Sequence, residues 1–310
     1  MLRQRLISGI SLALAVIGIV LADAWLSEQS SWMHKSRSLH WSLNGLAVTL
    51  LLLALTILAV RELTVFARAR GFAPLRPIMY VFAGGLVIGP YWVHNFFLPD
   101  TARGLSWNMT WLTLGVAASF LDQAIRRGTL NVLANLSTTL FIIFYAGALV
   151  GFMANLRMEV GGAAGGILLL FSMFLVKITD TGAYFVGSAV GRHKFIPWLS
   201  PKKSWEGVIG GVLTATLLAI FLGKSLGSMT VLAEYAGVLS NAWAMAAFGL
   251  AMGVFSVAGD LCESLLKRDV AIKDSGTLFP GMGGILDVID SPLLAAPAAW
   301  FFWTRIAPIL

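Results

Sequence analysis

Cysteine is almost missing. Cys262 is the only one in 310 residues, which excludes an intrachain disulfide. The four histidines (His34, His40, His94, His193) are scattered and lack the spacing of a zinc site. Charge is scarce as well: Asp, Glu, Lys and Arg make up 12% of the chain, against roughly 25% in average soluble domains. That scarcity, with 58% apolar residues and a mean hydropathy of +0.82, excludes an ordinary soluble globular protein. The net charge of +7 is what basic loops between membrane spans would produce, so no nucleic-acid partner is inferred.

Apolar runs near the length of a bilayer crossing, about 20 residues, are what the chain has instead. They predict an all-α, polytopic integral membrane protein with about nine transmembrane helices: 6–22, 43–60, 78–97, 107–121, 132–153, 160–176, 208–222, 242–258 and 285–303. The first run also fits a signal peptide. At 17 residues it exceeds the usual apolar region of one, which favours a retained helix. No repeat, low-complexity tract or soluble domain interrupts the chain, so residues 1–310 read as one membrane domain. Within it 1–175 is less diagnostic, and 177–292 carries the polar, catalytic part. With a cytoplasmic N-terminus, 16 of the 22 Lys and Arg residues fall inside and 6 outside, as topology rules require. The two most polar loops, 177–207 and 259–288, then share the cytoplasmic side.

The densest charge lies from Asp260 to Ser291, where six acids (Asp260, Glu263, Asp269, Asp274, Asp287, Asp290) and three bases (Lys267, Arg268, Lys273) share 32 positions. If helix continues past the eighth span, Asp260, Glu263, Ser264 and Lys267 lie on one face at i, i+3, i+4 and i+7. Asp287, Asp290 and Ser291 repeat the i, i+3, i+4 spacing. Pro280-Gly281-Met282-Gly283-Gly284 forms a turn between the two faces, its glycines permitting close backbone approach. Residues 292–303 are too few to cross alone, so the ninth span must draw Asp287 and Asp290 to the hydrocarbon boundary. An unpaired acid there costs about 2.5–3.5 kcal/mol. A solvated loop of ordinary ion pairs would not place acids inside a span. With no His or Cys in a ligand pattern, hard oxygens point to Mg²⁺ or a similar cation in phosphoryl transfer.

The second constellation holds Lys177, Asp180, Tyr184, Lys202, Lys203, Ser204 and Glu206. Ser200 before Pro201 predicts a helix N-cap, and a helix start carrying two lysines suits a polyphosphate. A topogenic patch of lysines is the plainer alternative. Asp180, close to apolar sequence on both sides, needs a partner.

Together these blocks resemble the phosphatidate cytidylyltransferase family. The resemblance rests on Ser264-x-x-Lys267-Arg268, Lys273-Asp274, Pro280-Gly281-Met282-Gly283-Gly284 and Asp287-Val288-x-Asp290-Ser291, with Asp180 and Ser200-Pro201-x-Lys203-Ser204-x-Glu206-Gly207 upstream. It is dense over 177–292, whereas 1–175 agrees only in span pattern. The family's turn usually has His where Met282 stands, and Arg where Val288 stands. Losing both would weaken substrate phosphate binding or mark a differently tuned member.

The resemblance implies transfer of a cytidylyl group from CTP to phosphatidic acid, giving CDP-diacylglycerol and pyrophosphate. It implies catalytic roles for Asp260, Asp287, Lys267, Arg268 and Lys273, with Asp260 and Asp287 holding one or two Mg²⁺ ions, or a monovalent ion beside them. Substrate binding would fall to Asp180, Lys202, Lys203, Ser204, Ser264, Asp274, Gly283, Gly284, Asp290 and Ser291. A homodimer in a bacterial-type inner membrane, with its site facing the cytoplasm, is implied as well. The competing readings are a CTP-dependent lipid kinase, a cytidylyltransferase for a prenyl-type lipid, and a transporter. A transporter usually sets its charges at mid-membrane, often in repeated halves.

Overall fold

The computed structural model describes the backbone of residues 2–36, 43–96 and 101–310, and side chains within 7–27, 43–96 and 106–310. Phe97, the expected end of the third span, and His40 lie outside the described residues.

The fold is α-helical. Helix α1 spans Leu2–Ser36, α2 Leu46–Ala69, α3 Arg76–Phe96 and α4 Thr101–Arg127. Helix α5 (Val132–Ile142) continues through a π-helical turn, Ile143–Ala148, into α6 (Leu149–Val160). After α7 (Gly162–Val190) come two short strands, β1 (Lys194–Ile196) and β2 (Ser200–Ser204). Then follow α8 (Trp205–Leu226), a 3₁₀ turn, α9 (Ala236–Ser240), α10 (Ala242–Asp269) and α11 (Leu286–Phe301). Among the described residues, six helical runs are long and apolar enough to cross a membrane: Ile7–Ser27, Leu46–Ala69, Val132–Val160, Gly162–Val190, Trp205–Leu226 and Ala242–Asp269. The three other expected spans fall in α3, α4 and α11 and are not among the six, so the count of nine is not confirmed.

Two expectations for residues 177–207 are corrected. The sixth span does not end at Val176: α7 runs on to Val190 and places Lys177, Asp180 and Tyr184 on a helix. The threonines there do not break it, because Thr179 and Thr181 turn their hydroxyls back to the carbonyls of Leu175 and Lys177. Nor does a helix start at Pro201. Residues 200–204 instead pair antiparallel with β1, in the register Lys194↔Ser204 and Ile196↔Ser200. The helix start moves to Trp205, where Ser204 is the N-cap and accepts from Gly207 N at 3.2 Å.

The chain forms two compact units. One comprises Met1–Gly166 with Val270–Asp287, the other Ile167–Asp269 with Val288–Leu310. In the first, α2, α3 and the α5–α6 run pack around Val48, Leu52, Val60, Met79, Leu86 and Val150. A Cβ on Gly147 would stand 2.6 Å from Ala83 Cα, so that crossing depends on a missing side chain. A buried polar knot ties in α1. Asp23 accepts from Arg157 Nε at 2.8 Å and caps the start of α2 through Ala47 N at 2.9 Å. Arg157, 1% exposed, also donates to Ser27 Oγ and Asn44 Oδ1. In the second unit, α8 lies antiparallel to both α7 and α10, with Gly211 against Thr179 and Gly249 against Ala219. Phe171, Phe248, Phe302 and Trp303 fill its aromatic core. Ile209, Leu213, Leu217 and Phe221 form an exposed i, i+4 stripe along α8, a surface that suits lipid.

Candidate active site

In the second unit four elements converge on a group of charged side chains. Helix α7 brings Lys177 and Asp180, and β2 brings Lys203. Ser256, Asp260, Glu263 and Lys267 come from α10, and Asp290 from α11. The convergence depends on Gly259. A Cβ there would stand 2.6 Å from Asp290 O and 2.7 Å from Ser291 Cα, so only glycine lets α10 and α11 touch at the level of the acids.

Asp260, Glu263 and Asp290 each offer an oxygen, and these oxygens lie within 4.8 Å of one another. Glu263 is 0% exposed and Asp290 7%. Each acid has a cation: Lys203 pairs with Asp260, Lys267 with Glu263, and Lys177 with Asp290 at 3.7 Å. Lys177 also approaches Asp180 at 4.0 Å, whose other oxygen lies 3.4 Å from Ser256 Oγ. Burial pushes the Lys203 ammonium down from its ordinary range, and the Asp180 and Asp290 carboxylates pull it back up. Asp290 Oδ1 further accepts from Ser291 N at 2.6 Å. Three crowded carboxylates, two of them buried, with no His or Cys among them, make a donor set suited to a hard divalent cation.

The first unit holds the other signature residues. The turn after Val270 is closed by Phe279 and Gly283, which exchange hydrogen bonds of 2.9 and 3.1 Å. Gly281 and Gly283 take positive φ values of 79° and 99°, which favours glycine at both. Asp287 Oδ2 accepts from Ser275 N, Ser275 Oγ and Gly284 N at 2.7–2.8 Å. Glu62, from α2, accepts from Ile285 N at 2.8 Å and Leu286 N at 3.0 Å. Its carboxylate therefore caps α11 and meets the positive end of that helix. A Cβ at Gly284 would collide with Ser275 Oγ and with Glu62. Met282 is placed by α1: its Sδ lies 3.8 Å from where a Cβ on Gly9 would stand, and Ser8 Oγ donates to Pro280 O at 3.0 Å. An apolar thioether suits that neighbour.

The predicted residues therefore divide. Asp180, Lys203, Asp260, Lys267 and Asp290 come together. Ser264 shares their helix face, Ser291 is buried beside them, and Lys202 on β2 points outward, exposed. Ser204 is committed to capping α8, and Arg268 Nε donates to Leu199 O at 3.5 Å. Asp287, Gly283 and Gly284 build the turn of the first unit, where Lys273 and Asp274 are exposed. Sequence reasoning did not assign roles to Glu62, Glu263 or Lys177. Glu62 was legible only as a charge at the supposed end of the second span. An acid followed by Leu63, Thr64, Val65 and Phe66 was the available signal that the helix runs on.

A family model described as the cytidylyltransferase family matches residues 30–305. A phosphatidate cytidylyltransferase of Haemophilus influenzae is 43% identical over 139 residues, 45% of this chain and 46% of that protein. One from Mycobacterium bovis is 36% identical over 57% of this chain and 53% of its own length. The chloroplastic phosphatidate cytidylyltransferase 5 of Arabidopsis thaliana is 30% identical over 97% of this chain and 71% of its own length. The match thus spans about half of the two bacterial relatives and over two thirds of the plant one. With a match running nearly end to end and a carboxylate–lysine centre built from the segment that carries the signature, the chain belongs to the cytidylyltransferase family.

Proposed function

We propose that this protein transfers a cytidylyl group from CTP to phosphatidic acid, releasing CDP-diacylglycerol and pyrophosphate at the cytoplasmic face of a bacterial-type inner membrane. The observation that carries the reading is the group of Asp260, Glu263 and Asp290, interleaved with Lys177, Lys203 and Lys267 among helices able to cross a bilayer. The names of the relatives support it.

The lipid's phosphomonoester oxygen is already ionised near neutral pH and needs no general base. It forms a bond to the α-phosphorus of CTP, and the bridging oxygen between the α- and β-phosphorus leaves with pyrophosphate. Catalysis then consists of positioning and charge neutralisation. Asp260, Glu263 and Asp290 would hold a divalent cation, which when bound offsets the charge of the triphosphate. Lys203, Lys177 and Lys267 neutralise phosphate oxygens when these displace the acids from their ion pairs. The resemblance also assigns Asp287, Arg268 and Lys273 to the reaction and implies a homodimer.

The test is incubation of purified protein with labelled CTP, phosphatidic acid and Mg²⁺. CDP-lipid with pyrophosphate is expected, and chelation by EDTA should abolish it. Phospholipid with CDP would identify a lipid kinase instead.

A further inference from the structure

The β1–β2 hairpin contributes only Lys203 to the proposed chemistry, yet it is fastened at both ends. At its base Glu206 accepts from the backbone amides of Arg192 and His193 at 3.2 Å and meets His193 Nδ1 at 2.6 Å. Phe195 packs edge-on against Trp205, with ring centroids 4.5 Å apart. At the tip Leu199 is buried, and its carbonyl accepts from Arg268 of α10. Between those anchors Trp198 stands out of the protein, 75% exposed. A floppy loop would leave a tryptophan exposed by default. A hairpin fastened at both ends holds it out.

The height of the hairpin follows from helix arithmetic. Helices α7 and α10 run parallel, each antiparallel to α8, and Ser256 on α10 meets Asp180 on α7. Val190, where α7 ends at the hairpin base, is ten residues beyond Asp180, a rise of about 15 Å. Arg268, which holds the tip, is twelve residues beyond Ser256, or about 18 Å. Base and tip thus sit at nearly one level, and the hairpin lies across the helix ends. Exposed apolar side chains continue along α7 from Tyr184 and Phe185 to Val190, which stands at that level. Tryptophan is enriched at the boundary between hydrocarbon and headgroups.

Charge selects the kind of surface. From Gly191 to Trp205 the chain has Arg192, Lys194, Lys202 and Lys203 and no acid. Lys203 turns inward to Asp260, its strand neighbour Lys202 alternates to the exposed face, and Lys194 and Arg192 are exposed as well. Basic residues at the edge of an anionic monolayer are drawn to its phosphates.

We propose that the Lys194–Ser204 hairpin is an interfacial anchor. Trp198 seats in the headgroup layer of the membrane that the flanking helices cross, and Arg192 and Lys194 hold anionic lipid phosphates beside the strand that carries Lys203. The occupant is a lipid surface, and the inference stands whether or not the reaction proposed above is correct.

The test uses the full chain in lipid nanodiscs, with Trp198→Cys in a Cys262→Ser background carrying a nitroxide. Collisions with oxygen and with a water-soluble nickel chelate are compared in discs of phosphatidylcholine alone and with added phosphatidylglycerol. The expected result is a label open to oxygen and shielded from the chelate, shifting further that way with phosphatidylglycerol. Arg192→Ser with Lys194→Ser should abolish the phosphatidylglycerol-dependent shift. A label fully open to the chelate in both discs overturns the proposal. So does shielding from both probes with spin–spin broadening, which would place a second copy of the chain there. If the labelled protein does not fold, brominated lipid should quench the fluorescence of the wild type more than that of Trp198→Phe. Equal quenching overturns the proposal.

Discussion

Asp290 is where residue chemistry weighs most. It is nearly buried, shares an oxygen cluster with Asp260 and Glu263, and has Lys177 as its cation. Asp290→Asn keeps the shape and the bond from Ser291 N but removes one negative charge from the proposed ion site. Turnover of CTP should fall by at least about 100-fold with the helical circular dichroism unchanged; turnover near that of the wild type would remove Asp290 from the chemistry. Asp260→Asn should behave alike. Glu62 acts differently, because its two backbone donors and Ser275 Oγ belong to the turn that starts α11. Glu62→Gln turns an amide nitrogen toward a backbone N–H and loses charge-assisted bonds. Unfolding in detergent should show a loss of about 1.5–3 kcal/mol, while Glu234→Gln, on an exposed 3₁₀ segment, should show none. The sequence made Asp260, Asp290 and the glycine turn legible, since acids at i, i+3 spacing in oily surroundings need a partner. It hid Glu62, whose partners are 213 to 224 residues away: a serine hydroxyl and two backbone amides, none with a signature of its own.

Among the elements, spacing along one helix face is legible in the sequence, whereas pairing between two segments is not. Past Ala258 the sequence offers helix only as a condition, under which Asp260, Glu263 and Lys267 share a face; α10 does run on to Asp269, so the expected 259–288 loop starts only at Val270. The hairpin is not legible, because Ser200-Pro201 is a plausible helix start by local rules. What turned it into a strand is the nonlocal pairing of Ser204 with Lys194. Likewise Val176 is a natural span end by hydropathy, yet α7 continues, and Thr179 and Thr181 bond back within it. Gly259 is the clearest element-level dependence. Gly259→Val would drive branched methyls into Asp290 O and Ser291 Cα and force α11 away from α10. Overpacking of this kind costs about 1–3 kcal/mol, and the displaced Asp290 should lose metal-dependent turnover as well. Gly237, with nothing within 4 Å of its would-be Cβ, is the control: Gly237→Ala should change neither property.

For the whole molecule the open quantity is the number of crossings, and α11 decides its parity. The helices α3 and α4 are consecutive, so counting both or neither leaves the C-terminus on the same side. Helix α11 has 16 residues and so rises about 24 Å, short of a core of about 30 Å. The π-helical turn Phe302–Ile306 extends it without a break. Arg305 at that end lies over the Trp300 ring, 5.1 Å from its centroid, a pairing suited to the far interface. The charge distribution argues in the same direction, because only a crossing α11 leaves Arg305 among the 6 outer basic residues rather than with the inner 16. A reporter enzyme active only outside the cytoplasm, fused after Leu310, should therefore be active, and one fused in the 270–285 loop should be silent. Activity at the loop and silence at the C-terminus would invert the orientation. Silence at both would mean that α11 enters the bilayer and does not cross it.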